Sequence, residues 1–437
     1  MKINNLPADD DSCGWTGILP KHEPRRLEGP AEADWVIIGA GFTGLAAARQ
    51  LAVHHPDDTI LLVDAQCVAD GASGRNSGFL IDLPHDLSAP DYIGDLNVAG
   101  MDLSLNRAAI SYLREIVEEE GIDCDWRACG KVQAAVNDKG IKVLEAYRSG
   151  LERLGAECHM INTSDMQAKL GTSYYKQGLY TPGTVLVQPA ALARGLARTL
   201  PANVKLCELT PVTQIEHGSR IQLHTPAGMI KTRKLILTNN VFAQEFGYLS
   251  GTLLPIFTYA GLTRPLTEAE QQRLGGDACW GVIPADPFGS TVRRTLDQRI
   301  LVRNSFSFNP GGKSSPTDLE NAKKHIVNGY NARFPMLDNV EMDYSWGGVM
   351  CMSRNHAPYF GELGKNVFGA GGHNGIGVTK GTITGKLIAD HLANKDSDLL
   401  RYMLAQPRPA KNPPRPLLDI GVAATLMYNQ WRAGPER

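Results

Sequence analysis

The sequence predicts a mixed α/β (α+β) fold, with a Rossmann-like dinucleotide-binding unit near the N-terminus and a strand-rich region farther along. Three observations carry this expectation. First, the apolar run Trp35-Val-Ile-Ile38 leads through a glycine-rich turn and a helical pattern to a second apolar run, Ile60-Leu-Leu-Val63. That is the pattern of two strands buried on both faces of a parallel sheet, with a crossover helix between them. Second, strand patterns return at 205–240 and again at 255–308. Third, 437 residues exceed what one core holds, since single hydrophobic cores stop growing near about 250–300 residues.

Taken in order, residues 1–32 are rich in Pro, Gly and charge and lack periodicity, so they read as an arm lying on a domain. Asp9, Asp10 and Asp11, without an apolar stretch, argue against a secretory signal. Leu45, Ala46, Ala48 and Leu51 have helical spacing across 43–53. Amphipathic helices are expected at 103–120, 142–154 and 189–200, and strands at 221–225 and 234–238 around the turn Pro226-Ala-Gly228. A helix at 319–334 precedes a glycine-rich segment at 346–377 and a helix at 379–392. Residues 406–416 contain five prolines and read as an extended linker. Residues 417–431 read as a docked amphipathic helix.

With 44 basic and 46 acidic residues there is no electrostatic footprint for nucleic acid. The apolar stretch 417–427 is interrupted by Asp419 and too short to cross a bilayer, so no transmembrane segment is expected and the chain is placed in the cytoplasm. The eight cysteines contain no Cys-x-x-Cys pair, so neither a metal site nor a disulfide framework is expected.

Gly39-Ala-Gly41-Phe42-Thr43-Gly44 follows a buried strand and opens a helix, the context that makes Gly-x-Gly-x-x-Gly informative. Gly39 serves the tight turn, Gly41 the close approach of a pyrophosphate and Gly44 the packing of helix on strand. The helix N-terminus offers free N–H groups to phosphate. Asp64 ends the second strand, where a carboxylate accepts from a ribose diol, and Ala65 follows it. Downstream, Asp70-Gly-Ala-Ser73-Gly-Arg75-Asn76-Ser77-Gly78 can wrap a ligand, with Ser73 and Arg75 suited to phosphate and Asn76 to a polar ring edge. A third segment, Phe368-Gly-Ala-Gly-Gly-His-Asn-Gly375-Ile376-Gly377-Val378-Thr379, places five glycines before a helix. Such a helix N-terminus suits the flavin N1/C2=O region, which gains negative charge on reduction. The three segments together point to FAD rather than NAD.

In this order, Val36-Ile-Ile-Gly-Ala-Gly-Phe-Thr-Gly44, Gly71-Ala-Ser-Gly-Arg-Asn-Ser-Gly78 and Gly371-Gly-His-Asn-Gly-Ile-Gly-Val378 resemble the D-amino acid oxidase, glycine oxidase and sarcosine oxidase superfamily. Trp346-Gly-Gly, Asn355-His-Ala-Pro-Tyr-Phe-Gly361 and Pro416-Leu-Leu-Asp-Ile-Gly are most similar to its γ-glutamylputrescine oxidase-like branch. The resemblance implies a discontinuous FAD domain (33–90, 181–248 and 343–400), an antiparallel-sheet substrate domain (91–180 and 249–342), the arm at 1–32 and a C-terminal extension at 401–437. It also implies a backbone contact of Val212 with the adenine side, and contact of Gly375, Ile376, Gly377, Val378 and Thr379 with the flavin. Many relatives carry a histidine where Ile376 stands; here His373 lies three residues earlier. Some sarcosine oxidases attach flavin near the position of Cys351, but Met350-Cys-Met-Ser-Arg-Asn departs from their motif, so non-covalent FAD is expected.

The implied reaction is oxidation of the C–N bond of a small amine bearing a carboxylate, a γ-glutamyl-polyamine or an amino acid, by hydride transfer to flavin N5. The imine hydrolyses, and oxygen or another acceptor takes the electrons. A flavin-dependent hydroxylase would need a nicotinamide site, and no second Gly-x-Gly-x-x-Gly follows a strand; a non-catalytic FAD-binding subunit is the other alternative. In Thr291-Val-Arg293-Arg294-Thr295 one arginine of the pair should face the pocket, and the family places its carboxylate-binding arginine on a similar strand, favouring Arg294. Tyr259 and His356 are candidates to line the ring face or tune the amine's protonation, and Lys380 to stabilise reduced flavin.

Overall fold

Two eight-stranded sheets organise the chain. The computed structural model describes residues 1–8 and 10–437; Asp9, one of the acids of the arm, lies outside the described residues. The path of the first sheet runs Tyr359–Gly364, Val367–Gly371, Gly228–Leu237, Ala31–Ile38, Ile60–Val63, Val204–Cys207. The last five strands are parallel, with Val36 beside both Leu235 and Leu61, and Tyr359–Gly364 closes one edge antiparallel. Val36, Ile37, Leu62, Leu235 and Ile236 are fully buried, as parallel strands covered on both faces require. The first strand begins earlier than its apolar run because Ala31–Ala33 also pair with Ile230–Thr232. Ala31–Ile38 feeds Ile60–Val63 on one side, while its other neighbour, Gly228–Leu237, arrives from the middle of the chain. Its carboxyl end is therefore a topological switch point, where α/β sheets open a crevice.

Helix Phe42–His54 crosses over as expected and packs against helix Gly377–Leu392. Small residues set the spacing: a Cβ on Gly385 would lie 2.1 Å from the Thr43 carbonyl oxygen, and one on Gly44 would lie 1.8 Å from the Gly39 oxygen. Leu45, Ala48, Leu192, Ile388 and Ala389 fill the core around them. Helix Leu96–Glu119 joins the same core through Ile110, Leu113 and Ile116.

The path of the second sheet runs Met342–Ser353, Leu253–Thr263, Ile300–Phe308, Thr291–Arg294, Trp280–Pro284, Lys131–Ala135, Gln177–Thr181, His159–Asn162. It is antiparallel except where Trp280–Pro284 meets Lys131–Ala135. Helix Pro316–Arg333 covers one face, with Ile326 and Tyr330 against Trp280 and Val302. The other face is turned to the glycine loops of the first sheet.

Both termini depart from expectation. The N-terminal arm is embedded rather than laid on the surface: Ile3, Trp15 and Leu27 are buried, and Trp15 Nε1 donates to the Asn76 carbonyl at 2.8 Å. It escaped the periodicity reading because it contributes single anchors. At the other end, Leu417–Ala433 is a helix held by Leu426, Ala433 and the Gln430 amide, which exchanges hydrogen bonds with the Phe306 backbone. Its Leu417, Ile420, Met427 and Trp431 face outward, so the expectation of a docked apolar face is corrected. Among the described residues no helix is long and apolar enough to cross a membrane.

Because the space opposite Gly385 is filled by backbone, Gly385→Val should lower stability by about 1–3 kcal/mol, the usual cost of overpacking. Thermal unfolding against the parent checks this; an unchanged Tm would show that the two helices separate freely.

Candidate functional site

A cleft of about 350 Å³ lies between the sheets, within the range of ligand sites. All three glycine segments reach it. At its floor the backbone turns at Gly39 with φ of 107°, and a Cβ there would sit 2.9 Å from the Asn239 backbone. Helix Phe42–His54 has no side-chain cap from Gly41; the Phe42 N–H donates instead to Ser73 Oγ at 3.0 Å, which ties the first glycine turn to the second segment. Gly39, Gly41, Phe42 and Thr43 line the cleft. Gly44 does not line it and serves packing.

Asp64 and Ala65 line the cleft beyond the second strand. The Asp64 carboxylate accepts from the Ala40 N–H at 2.6 Å and the Gln66 N–H at 2.9 Å. Burial raises its pKa to about 6, against the pull of those two N–H groups.

In the second segment, Ser73, Arg75, Asn76 and Ser77 reach the cleft wall, but their polar groups shape the loop. Arg75, expected at phosphate, pairs with Asp10 and donates to Ser12 Oγ. Asn76 bonds the Ser73 carbonyl at 2.7 Å and the Gly78 N–H at 2.8 Å. Gly78 lies behind the wall, where a Cβ would strike Arg293 Nη1 at 2.2 Å.

In the third segment, Gly375, Ile376, Gly377 and Val378 line the cleft, while Thr379 is buried behind them. Helix Gly377–Leu392 starts without a side-chain cap, which leaves first-turn N–H groups for a ligand. A Cβ on Gly377 would meet nothing within 4 Å. His373 Nε2 pairs with Thr43 Oγ1 at 3.1 Å and so joins the first and third segments. Burial, then the charge of Lys380, lower its pKa to about 3 and keep the ring neutral. Val212 lines the adjoining wall, as does Cys351, whose thiol burial pushes up to about 12.

The candidate polar residues of the substrate side are redistributed. Arg294 binds Gln298 Oε1 and the Gly275 and Asp277 carbonyls, away from the cleft. Arg293 is a buried brace on the Ser77 and Val187 carbonyls. The cationic side chain that sequence reasoning missed is Arg303, one strand over and directly opposite Thr291, to whose Oγ1 it donates at 2.8 Å. Both line the cleft, burial lowers the arginine's pKa to about 10, and no ion pair to Arg303 is formed among the described residues. The signal was available: Arg303 is the only charged residue in the strand Ile300–Phe308.

Tyr259 is buried, with its hydroxyl 2.7 Å from Ser307 Oγ and 3.0 Å from Ser314 Oγ; a register shift between Thr258 and Tyr259 leaves Phe257, Thr258 and Ala260 on the cleft instead. His356 is exposed, in a turn with φ of 54°. Lys380 pairs with Asp102 at 2.8 Å on the helix's far side. None of these three lines the cleft. The arm, by contrast, does: Ile3, Asn5, Leu6, Pro7 and Ala8 form part of the wall.

The profile of a family described as FAD dependent oxidoreductase (DAO) matches residues 34–391. The chain is 27% identical over 363 residues to gamma-glutamylputrescine oxidoreductase of Escherichia coli K12, covering 82% of this chain and 83% of that protein. It is 22% identical over 392 residues to glycine oxidase of Geobacillus kaustophilus, covering 85% and 97%. The fold resembles the crystal structure of that glycine oxidase, with a TM-score of 0.71 at 20% identity over 84% of this chain and 96% of the other. L-Amino acid deaminase from Proteus myxofaciens in complex with anthranilate gives 0.68 at 17% identity, covering 86% and 94%.

The His373 ring takes a proton below about 6.5 when unfolded but only near 3 when folded. The unfolded state is then the better proton acceptor across that window, so stability is lost as pH falls from about 6.5 towards 3. His373→Gln should shrink the loss of stability between about pH 7 and pH 5, measured by urea unfolding; equal pH slopes in parent and variant would refute a neutral His373.

Proposed function

We propose that this chain, which belongs to the FAD dependent oxidoreductase (DAO) family, oxidises the C–N bond of a small amine that carries a carboxylate. The observation that carries the substrate class is Arg303: a half-buried guanidinium in the cleft wall, without a carboxylate partner among the described residues, facing the space between the sheets. A partly desolvated guanidinium of that kind is stabilised by an anionic ligand with two parallel hydrogen bonds.

The residues of the cleft fit FAD. Two helix N-termini border it, neither capped by its own N-cap residue, although Ser73 takes the Phe42 N–H of the first, and Gly377 opens onto space that any side chain would fill. In this reading Gly39, Gly41, Phe42 and Thr43 cradle the pyrophosphate, Asp64 and Ala65 take the ribose, and Val212 borders the adenine. Gly375, Ile376, Gly377 and Val378 border the ring that gains charge. Bound there, FAD supplies the hydride acceptor for the carbon next to the amine nitrogen.

The chain's own part is placement. Arg303 and Thr291 clamp the carboxylate end of the substrate. Thr258 Oγ1, buried at the cleft without a hydrogen-bond partner among the described residues, accepts a hydrogen bond from the amine. Phe257, Ala260 and Ile283 exclude water around the reacting carbon. The resulting imine hydrolyses to a carbonyl compound. Related names favour γ-glutamyl-polyamines or amino acids as substrates.

Anaerobic addition of γ-glutamylated, N-methylated and free amino acids should bleach the flavin band without nicotinamide; no bleaching by any of them sinks the proposal, and peroxide release against dye reduction identifies the acceptor. Arg303→Met should keep FAD and raise KM for a carboxylated amine roughly 10- to 100-fold, as loss of a charge-assisted hydrogen bond costs about 1.5–3 kcal/mol. A non-covalent flavin should leave the acid-precipitated protein colourless.

A further inference from the structure

We propose that Cys129 and Cys279 form a modification site outside the cleft, a dithiol that closes to a disulfide when it meets a peroxide. The two sulfurs are brought together by strand register. Lys131–Ala135 and Trp280–Pro284 are the one parallel pair in the second sheet, with Val132 opposite Val282 and Gln133 opposite Ile283. Cys129 stands three residues before Val132 and Cys279 three before Val282, so the two occupy matching places just ahead of the paired strands, with the left-handed Gly130 turning the chain between Cys129 and its strand. Neighbouring strands lie about 4.8 Å apart, within the separation of roughly 4.4–6.8 Å between Cα atoms that a disulfide spans. The two thiols are close enough for each to act on the ionisation of the other, and the Cys129 thiol otherwise only points at the neighbouring Gly130 carbonyl at 3.8 Å.

Both residues are partly exposed, and neither lines the cleft. Cys279 also has the environment of a nucleophile. The interaction with Cys129 first, then the charges of Arg293 and Arg127, lower its pKa against the opposing effect of burial, while the same interaction raises that of Cys129, so Cys279 is the thiol of the pair that ionises first. The contrast with the remaining cysteines is marked. Cys13, Cys124, Cys207 and Cys351 are buried, and burial raises the pKa of each of their thiols as well as those of Cys67 and Cys158.

The chemistry balances with a hydroperoxide as the oxidant. The Cys279 thiolate attacks one peroxide oxygen, the O–O bond breaks, and hydroxide leaves, giving a sulfenic acid at Cys279. The Cys129 sulfur then displaces the sulfenic oxygen, which departs as water with the thiol proton, and the S–S bond forms. Two thiols lose two electrons and two protons in all, and one hydrogen peroxide becomes two waters. The site stands one side chain from the flavin loop, because Arg293, whose charge acts on both sulfurs, also holds the Ser77 and Gly78 carbonyls. The proposal does not rest on the reaction assigned to the cleft, since the peroxide is supplied from outside.

The test treats the purified holoprotein with a small excess of hydrogen peroxide, alkylates the remaining thiols and maps peptides without reduction. Expected are a peptide joining Cys129 to Cys279, loss of two titratable thiols and of two hydrogens in the intact mass, and full reversal by dithiothreitol. In Cys129→Ser the same treatment should instead leave oxygen added at Cys279, because the resolving sulfur is gone. Recovery of both cysteines as alkylated thiols would overturn the proposal. So would over-oxidation of Cys279 in the parent without a joined peptide, or a disulfide confined to other cysteines.

Discussion

The approach of two helices across the end of the parallel sheet is the constraint on which the cleft depends. Helix Phe42–His54 and helix Gly377–Leu392 come so close at Gly385 that the Thr43 carbonyl occupies the place of a side chain. Their N-termini consequently open on the same space, although more than three hundred residues of chain separate them. The bond between Thr43 and His373 closes the seam, and a neutral ring is what that seam allows. An imidazolium there would be a buried cation next to Lys380 and two positive helix ends.

Arginines divide the second sheet into bracing and binding positions. On the strand Thr291–Arg294, Arg293 and Arg294 are surrounded by carbonyl or amide oxygens of segments that they hold in place, as is Arg333 at the end of the helix covering the sheet. Such a guanidinium is a structural fastener, because its donors are consumed by the protein. Arg303 bonds one hydroxyl and borders open space. The difference between adjacent strands of one sheet is thus a difference in what the oxygens around a guanidinium belong to, and it sets apart the side chain with donors left for a ligand.

Much of the architecture was legible in the residues. The buried runs at Trp35–Ile38 and Ile60–Val63, the turn at Gly39, and helices near 142–154, 189–200 and 379–392 all appear within a few residues of their expected places, because burial on both faces and helical periodicity are local signals. The glycine segments marked the cleft for the same reason: absence of a Cβ is written in the sequence wherever backbone comes close. The C-terminal helix stands where it was expected, but its docking face and the depth of the arm were not legible, since single anchors such as Trp15 carry no period and an apolar stripe does not state which way it faces.

The residues alone determined a glycine-lined dinucleotide turn, a carboxylate after the second strand and two later segments that suit a flavin, because these depend on short-range backbone chemistry. Only the tertiary structure decided which polar side chains reach the cleft. Arg294, Tyr259 and Lys380 found partners elsewhere, His356 turned to solvent, and Arg303 and Thr258 took the wall. The reason is physical: which face of a strand is turned inward follows from register and bulges set by pairing partners far away in the chain, such as the shift at Thr258, and a side chain's availability follows from which oxygens those partners bring to it.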